Sequence, residues 1–423
     1  MTDAEKSSWL LNEVASMQGT HVVHLRGFLD EALLRAALLR LQQRHFLLRC
    51  RIVAGPPTEF VEDQGEIPVT VKPWRENLWI EEAEHEVDAV IPWATAPLAR
   101  AVLLQSREHC DLILSLHKAM HDGRSGANAL RDVIELAAAI YEGREADLPP
   151  LHGISDIGDQ VRRKSKLWRL VPFFARYLTT IAIMRPATLV PDGSAPLPQI
   201  RTGLHHRVLS QVETKALVER CRANQTTVQG ALAAAFMQAV AGELSKKSGK
   251  GKIAVDNTST YDVRALLDTP VDDSMGTFVS ATISFHYAGP SVRLWDLARE
   301  VRKEIARNVN SGLVFTMIRI QTLMSSRAQS AEKLAQQVEK FRKPATFVTN
   351  FGSFNYPEKV GPWTREYQSC VLSAMHFGGA CLSAVALTVS GRLSLNFFFA
   401  IPFFTRDHVA SLADDVLGYL QSQ

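Results

Sequence analysis

The stretch 110-CDLILSLHKAMHDGRSGANALRDVIELAAAIYEG-143 decides the fold. Its first part, CDLILSLH (110–117), is a short apolar run of strand length. From Ser125 to Glu142 apolar residues recur at helical spacing, and Gly143 supplies the stop. Between strand and helix lies HKAMHDG, 117–123, which packs two imidazoles, an ammonium, a carboxylate and a glycine into seven residues. Just upstream, ARAVLLQS (99–106) reads as a second strand, turned into the first through the polar residues REH.

Working outward, Asp30 can cap a helix over 31–45 with Leu34, Leu38 and Leu41 on one face, and LLRCRIVA (47–54) reads as a strand. The segment 186–200 carries Pro186, Pro191, Pro196 and Pro198, too many for a continuous element. The second half starts near Arg201: a strand at HHRVLS, a helix at QVETKALVERCRAN, an apolar helix over 226–244, strands at KIAVDN and MGTFVSATISFHY, an amphipathic helix at 292–309, three strand-like runs beginning at TFVTNFGSF, and a closing helix at RDHVASLADDVLGYL. Each half mixes sheet and helix, so the expected class is α/β, a layered α+β sandwich. The expected division is 1–185, a linker at 186–200, and 201–423.

At 423 residues, two domains is the default. A net charge of +3, from 47 basic and 44 acidic residues, is no footprint for nucleic acid. Five cysteines without C-x-x-C spacing point to a reducing, cytoplasmic setting, with neither a disulfide framework nor a cysteine zinc site. The acidic, polar N-terminus is not a signal peptide. The longest apolar run, LVPFFARYLTTIAIM (170–184), is interrupted by Pro172 and Arg176 and falls short of a membrane span. It follows the basic run VRRKSKLWR (161–169), so a peripheral membrane or lipid contact is one reading and a packed domain-linking helix the other. His117 and His121 have the i, i+4 spacing of a metal pair, but no Glu follows His117 and Gly123 interrupts any helix, so no metal is expected.

HKAMHDG resembles the H-H-x-x-x-D-G motif of the chloramphenicol-acetyltransferase-like superfamily, altered to H-K-x-x-x-D-G. Other segments are similar in the same order. LRAALLRLQQRHFLLRCRIV (34–53) resembles the helix-then-strand opening of condensation domains, IPWATAPLARAVLL (91–104) the segment in which a Pro-Leu turn leads into the strand before the motif, and MGTFVSATISF (275–285) a G-x-F-V-N-T strand with Ser280 in place of Asn. YDVRALL (261–267) resembles an arginine-bearing loop, and TNFGSF (349–354) a later strand of polyketide-associated acyltransferases. The resemblance implies two such subdomains in a V shape with a tunnel between them. It implies a stand-alone monomer that joins an acyl thioester, on CoA or on the phosphopantetheine of an acyl carrier protein, to an alcohol or amine, with no bound cofactor.

Carried onto this chain, the resemblance makes His117 mainly structural and puts Lys118 where the working histidine belongs. Imidazole, with a reference pKa near 6.5, is largely available as a base at neutral pH. Lysine, near 10.4, is only about 0.04% neutral at pH 7 unless burial lowers its pKa. As an ammonium, Lys118 could hold a thioester oxygen, a carboxylate or a phosphate. His121 is a candidate replacement base. Asp122 is expected to pair with Arg264, and Gly123 to let the loop tighten into the helix. Asn350, Thr349 and Ser280 are candidates for oxyanion or tunnel-lining contacts. The rival reading is a catalytically degenerate domain that recruits or binds a partner.

Overall fold

Strand β6 (His109–His117) is buried on both faces along almost its whole length. Leu112, Leu114 and Leu116 face a core built with helices α2 (Glu31–Arg44) and α4 (Gly123–Tyr141). Ile113 faces the other way, against Trp79, Ala83 and Val87 of α3 (Leu78–Asp88). In this computed structural model the described residues are 1–421 except 15, 17, 152–156, 197, 198, 270, 272, 328, 329, 335–343 and 374–381. Residues 197 and 198 of the expected linker and Cys381 therefore lie outside the described residues.

The first sheet has the order β11 (Lys359–Val360), β12 (Trp363–Leu372), β1 (Gln18–Arg26), β6, β5 (Ala99–Gln105), β4 (Val69–Pro73). The second runs β7 (Arg201–Leu209), β14 (Arg392–Ile401), β13 (Leu382–Val389), β10 (Thr346–Phe354), β8 (Ile253–Asp262), β9 (Val279–Ala288). A separate ribbon pairs β2 (Cys50–Val53) with β3 (Glu59–Glu62). The second core packs α8 (Val228–Ser248), α9 (Leu294–Asn310) and the closing helix Arg406–Gln421 around the sheet. The class is α/β, as the sequence predicts; among the described residues it is built on two six-stranded sheets.

Two details differ from the expected run of elements. Phe46–Arg49 is a 3-10 turn, so the strand expected over 47–54 shortens to Cys50–Val53. The Arg49 guanidinium reaches back to the carbonyls of Gln42 and Gln43 and holds the turn against the end of α2. The other detail concerns β11 and β12, which follow residue 200 in the chain but belong to the first sheet. There β12 pairs antiparallel with β1, His21 opposite Cys370. It is tied across to the second sheet as well: Asn396 Nδ2 donates to the Cys370 carbonyl at 2.8 Å, and the Ser369 and Ser394 hydroxyls meet at 3.0 Å. A mixed cluster with members from both sheets and α4, including Ala127, Phe354, Cys370, Leu372 and Phe398, fills this seam.

Candidate active site

The seven residues from His117 span the corner where β6 turns into α4. Lys118–Met120 form one 3-10 turn, His121 is extended, and Asp122 caps α4. The cap is reciprocal: Ser125 N donates to Asp122 Oδ1 and Asp122 N donates back to Ser125 Oγ, each at 2.9 Å. Arg264 comes from a one-turn 3-10 segment, Arg264–Leu266, just after β8. Its guanidinium clasps Asp122 bidentately, Nη1 to Oδ2 at 2.8 Å and Nη2 to Oδ1 at 3.0 Å. The backbone N–H of Phe278 adds a bond to Oδ2 at 3.0 Å, and the guanidinium lies 4.2 Å from the Phe278 ring centroid. Asp122 is fully buried. Burial alone would raise its pKa, but the charge and hydrogen bonds of Arg264, with the N–H groups of Ser125 and Phe278, hold it well below the usual carboxylate range.

Close approach explains two glycines. A Cβ on Gly123 would fall 1.8 Å from Phe351 Cζ, and one on Gly126 would fall 2.0 Å from His21 Nε2. The first lets β10 reach the loop, and the second lets a β1 histidine lie against α4.

Lys118 keeps some accessible surface while the groups around it have almost none. It has no carboxylate partner within salt-bridge distance among the described residues. Burial pulls its pKa below the usual lysine value, against weaker upward pulls from Asp122 and Cys370. His121 Nδ1 donates to the His117 carbonyl at 3.0 Å, which leaves its Nε2 as a bare, buried lone pair among the described residues. That nitrogen would lie 2.5 Å from a Cβ on Gly19, and the His121 ring meets His21 edge-on at 5.5 Å. His117 Nδ1 accepts from Ala119 N at 3.2 Å. All three imidazoles are held neutral. Burial lowers His117 to about 4; burial and then Lys118 lower His21 to about 3; burial, then Lys118 and His21, take His121 well below its usual value. Cys370 Sγ lies 3.9 Å from His21 Nε2, and burial pushes its thiol up to about 12.

The structure thus gathers His117, Lys118, His121, Asp122, Gly123 and Arg264 at one corner. Asn350 lines a cavity of about 870 Å³ together with Arg124, Gln229, Tyr261 and Arg264, and its own Oδ1 accepts from Gly352 N at 2.9 Å. Thr349 is buried, and its Oγ1 has no hydrogen-bond partner among the described residues. Ser280 turns elsewhere: its hydroxyl donates to the Val314 carbonyl at 2.7 Å, tying β9 to helix α10 (Leu313–Arg327). Among the described residues no group of three or more His, Cys, Asp or Glu could hold a metal. His21 and Cys370 were not among the candidates read from sequence, because β1 and β12 were not recognised as strands. The signal available is the short run THVVHL (20–25), rich in residues that favour strands, although it shows no polar and apolar alternation.

Residues 198–398 match the family described as phthiocerol/phthiodiolone dimycocerosyl transferase C-terminus. A probable non-canonical nonribosomal peptide synthetase, CymA, of Salinispora arenicola is 25% identical over 323 residues, which is 71% of this chain and 4% of the synthetase. The chain therefore spans a small fraction of that relative. Polyketide synthase associated protein 5 from Mycobacterium tuberculosis superposes with a TM-score of 0.70 at 16% identity, over 98% of this chain and 97% of that one. Trichothecene 15-O-acetyltransferase TRI3 from Fusarium sporotrichioides gives 0.71 at 13% identity, over 99% and 94%.

Proposed function

We propose, starting from a chain that belongs by fold to the chloramphenicol-acetyltransferase-like superfamily of condensation domains and acyltransferases, that it transfers an acyl group from a thioester to an alcohol or amine. The donor is carried on CoA or on the phosphopantetheine of a carrier protein. The acceptor O–H or N–H attacks the thioester carbonyl, the new C–O or C–N bond forms, the C–S bond breaks, and the acceptor proton ends on the departing thiol.

One observation carries this reading. Lys118 projects from a loop clamped by a bidentate Arg264–Asp122 pair, and it sits desolvated, without a carboxylate partner, among neutral imidazoles. Desolvation favours the neutral amine, the form able to take the acceptor proton and return it to sulfur. In its charged form the same group favours an oxyanion at the carbonyl carbon.

The test is intact-mass detection of acylated product with a panel of acyl-CoA and acyl-carrier donors and simple alcohol and amine acceptors. Transfer by wild type that is lost in Lys118→Ala is the expected result. No transfer with any donor, together with retained binding of a carrier protein, would replace this reading with the rival one, a degenerate recruitment domain. Transfer that survives Lys118→Ala but is lost in His121→Ala would move the base to His121.

A further inference from the structure

Helix α6 (Leu170–Met184) contains one charged residue in fifteen, yet none of its side chains is buried. Val171 is 76% exposed, Leu178 62% and Ile183 73%; Trp168, in the turn just before it, is 69% exposed. Compare α8, also apolar, which buries most of its length. The helix is nonetheless seated. Phe173 stacks on Tyr177, Tyr177 meets Phe285 of β9 at 5.5 Å, and Arg176 pairs with Glu304 of α9 at 3.0 Å. One side thus rests on the protein, while Trp168, Val171, Phe174 and Leu178 form an outward stripe at helical spacing. An apolar stripe of this length on a protein surface marks an interaction site.

The charges around it select the partner. From Arg162 to Arg185 there is no acidic residue. Arg162 pairs with Asp159, Arg163 and Lys164 with Asp268, and Arg176 with Glu304. That leaves Lys166 and Arg169 before the helix and Arg185 after it without a carboxylate partner among the described residues. Arg169 instead lies over the exposed Trp168 ring, 5.0 Å from its centroid.

We propose that α6 and the Trp168 turn are a docking surface for an anionic lipid bilayer, with the helix lying in the interfacial plane. The apolar stripe enters the acyl boundary, Trp168 sits at headgroup level, and Lys166, Arg169 and Arg185 meet the anionic headgroups. The helix does not span: about 22 Å long, it falls short of the ~30 Å hydrocarbon core, and no helix of the described residues is long and apolar enough to cross a membrane. A second copy of the chain is a poorer occupant, because a two-fold interface on this face would bring its unpaired cations together. The proposal is independent of the reaction, so its test is binding alone.

The test is co-sedimentation of the full chain with phosphatidylcholine vesicles, with and without phosphatidylglycerol. Wild type is expected to bind the phosphatidylglycerol vesicles, with a blue shift in tryptophan fluorescence that Trp168→Phe removes. Val171→Asp with Leu178→Asp should weaken binding by at least about tenfold. Lys166→Glu with Arg169→Glu should abolish the preference for phosphatidylglycerol. Val212→Asp, on an equally exposed apolar residue of α7 (Gln211–Ala223), should change nothing. Wild type staying in solution with both vesicles would overturn the proposal, as would binding indifferent to the α6 pair. Self-association in sedimentation velocity that the α6 pair abolishes would assign the face to a second copy instead. Should the α6 pair fail to fold, the charge-reversal pair and Trp168→Phe decide the question alone.

Discussion

Asp122 and Lys118 stand four residues apart in one loop, and their surroundings are opposites. Asp122 is buried with every bonding direction used: Arg264 twice, the N–H groups of Ser125 and Phe278, and the Ser125 hydroxyl. Lys118 has no carboxylate within salt-bridge distance among the described residues; the Asp122 charge acts on it from farther off, and the His21, His121 and Cys370 groups near it are held neutral. A satisfied buried ion pair fixes geometry; an unsatisfied cation stores reactivity or awaits a ligand. One loop thus holds a fully bonded carboxylate and, four residues before it, a cation with no carboxylate bound to it.

The comparison breaks most directly at Asp122. Asp122→Ala takes away the bidentate partner of the largely buried Arg264 guanidinium and leaves it the longer contact to Asp262 at 3.3 Å, so a loss of up to about 3–5 kcal/mol is expected in a urea or thermal melt. Removing both partners in Asp122→Ala/Arg264→Met should cost less than the single change; equal costs would mean the two do not act as a pair. Lys118→His tests the other half. If Lys118 is the base, an imidazole there should shift the pH profile of thioester turnover with little change in stability; if the base is lost and only the clamp survives, it should raise turnover by ~10²–10⁴-fold. Neither a shift nor a rise would mean that more than the base differs. Gly126→Ala comes next, pressing a methyl group onto His21 at 2.0 Å. It should cost about 1–3 kcal/mol while leaving the Asp122 clamp intact.

Acid gives a smaller, graded test. His21, His117 and His206 have folded-state pKa values lowered to about 3, 4 and 3, chiefly by burial. The folded state therefore binds fewer protons than the unfolded chain below pH 6.5 or so. Stability should be full above that value and fall as pH drops toward 4. Asp122, also depressed, adds its loss only further down. A melting temperature flat from pH 7 to pH 5 would mean that these imidazoles are not buried neutral. The smallest effect is expected at His408, between Asp192 and Glu243 at 2.9 and 2.8 Å. Burial lowers its pKa, but the two carboxylates more than offset this and raise it. Its contribution is present below the unfolded value and is lost as pH rises through the folded one, so His408→Ala should matter less at pH 8 than at pH 6.

Much of this was legible from local pattern. The 99–117 hairpin, the helix after Ser125, and the helices at 211–223 and 228–248 follow from period and caps, because each is set by its own residues. Asp122 and Arg264 could be matched only through a resemblance, since nothing local ties residue 122 to 264. Beyond reach was WTREYQSCVL, whose mixed polar pattern becomes β12 only because β1 lies beside it and β14 touches it through Asn396 and Ser394. With β1 and β12 unread, His21 and Cys370 could not be placed beside Lys118. The length of α6 could be read, but its lack of cover could not, because exposure depends on what the rest of the chain declines to put there.

The placement of β12 also bears on how the protein is born. His21 and Cys370, partners across β1 and β12, are 349 residues apart in the chain. At about 5–20 residues per second, the ribosome delivers the second roughly 20–70 s after the first. Once β6 has emerged, β1 can pair with it but presents its other edge open, an invitation to any passing strand. A nascent chain stalled at the proline-rich connection would carry the whole HKAMHDG loop and still lack both the Arg264 clamp and the strand that closes its sheet. Chaperone demand during translation should therefore peak before residue 372 emerges, and fragments ending near residue 200 should be recovered as aggregates rather than as a working half.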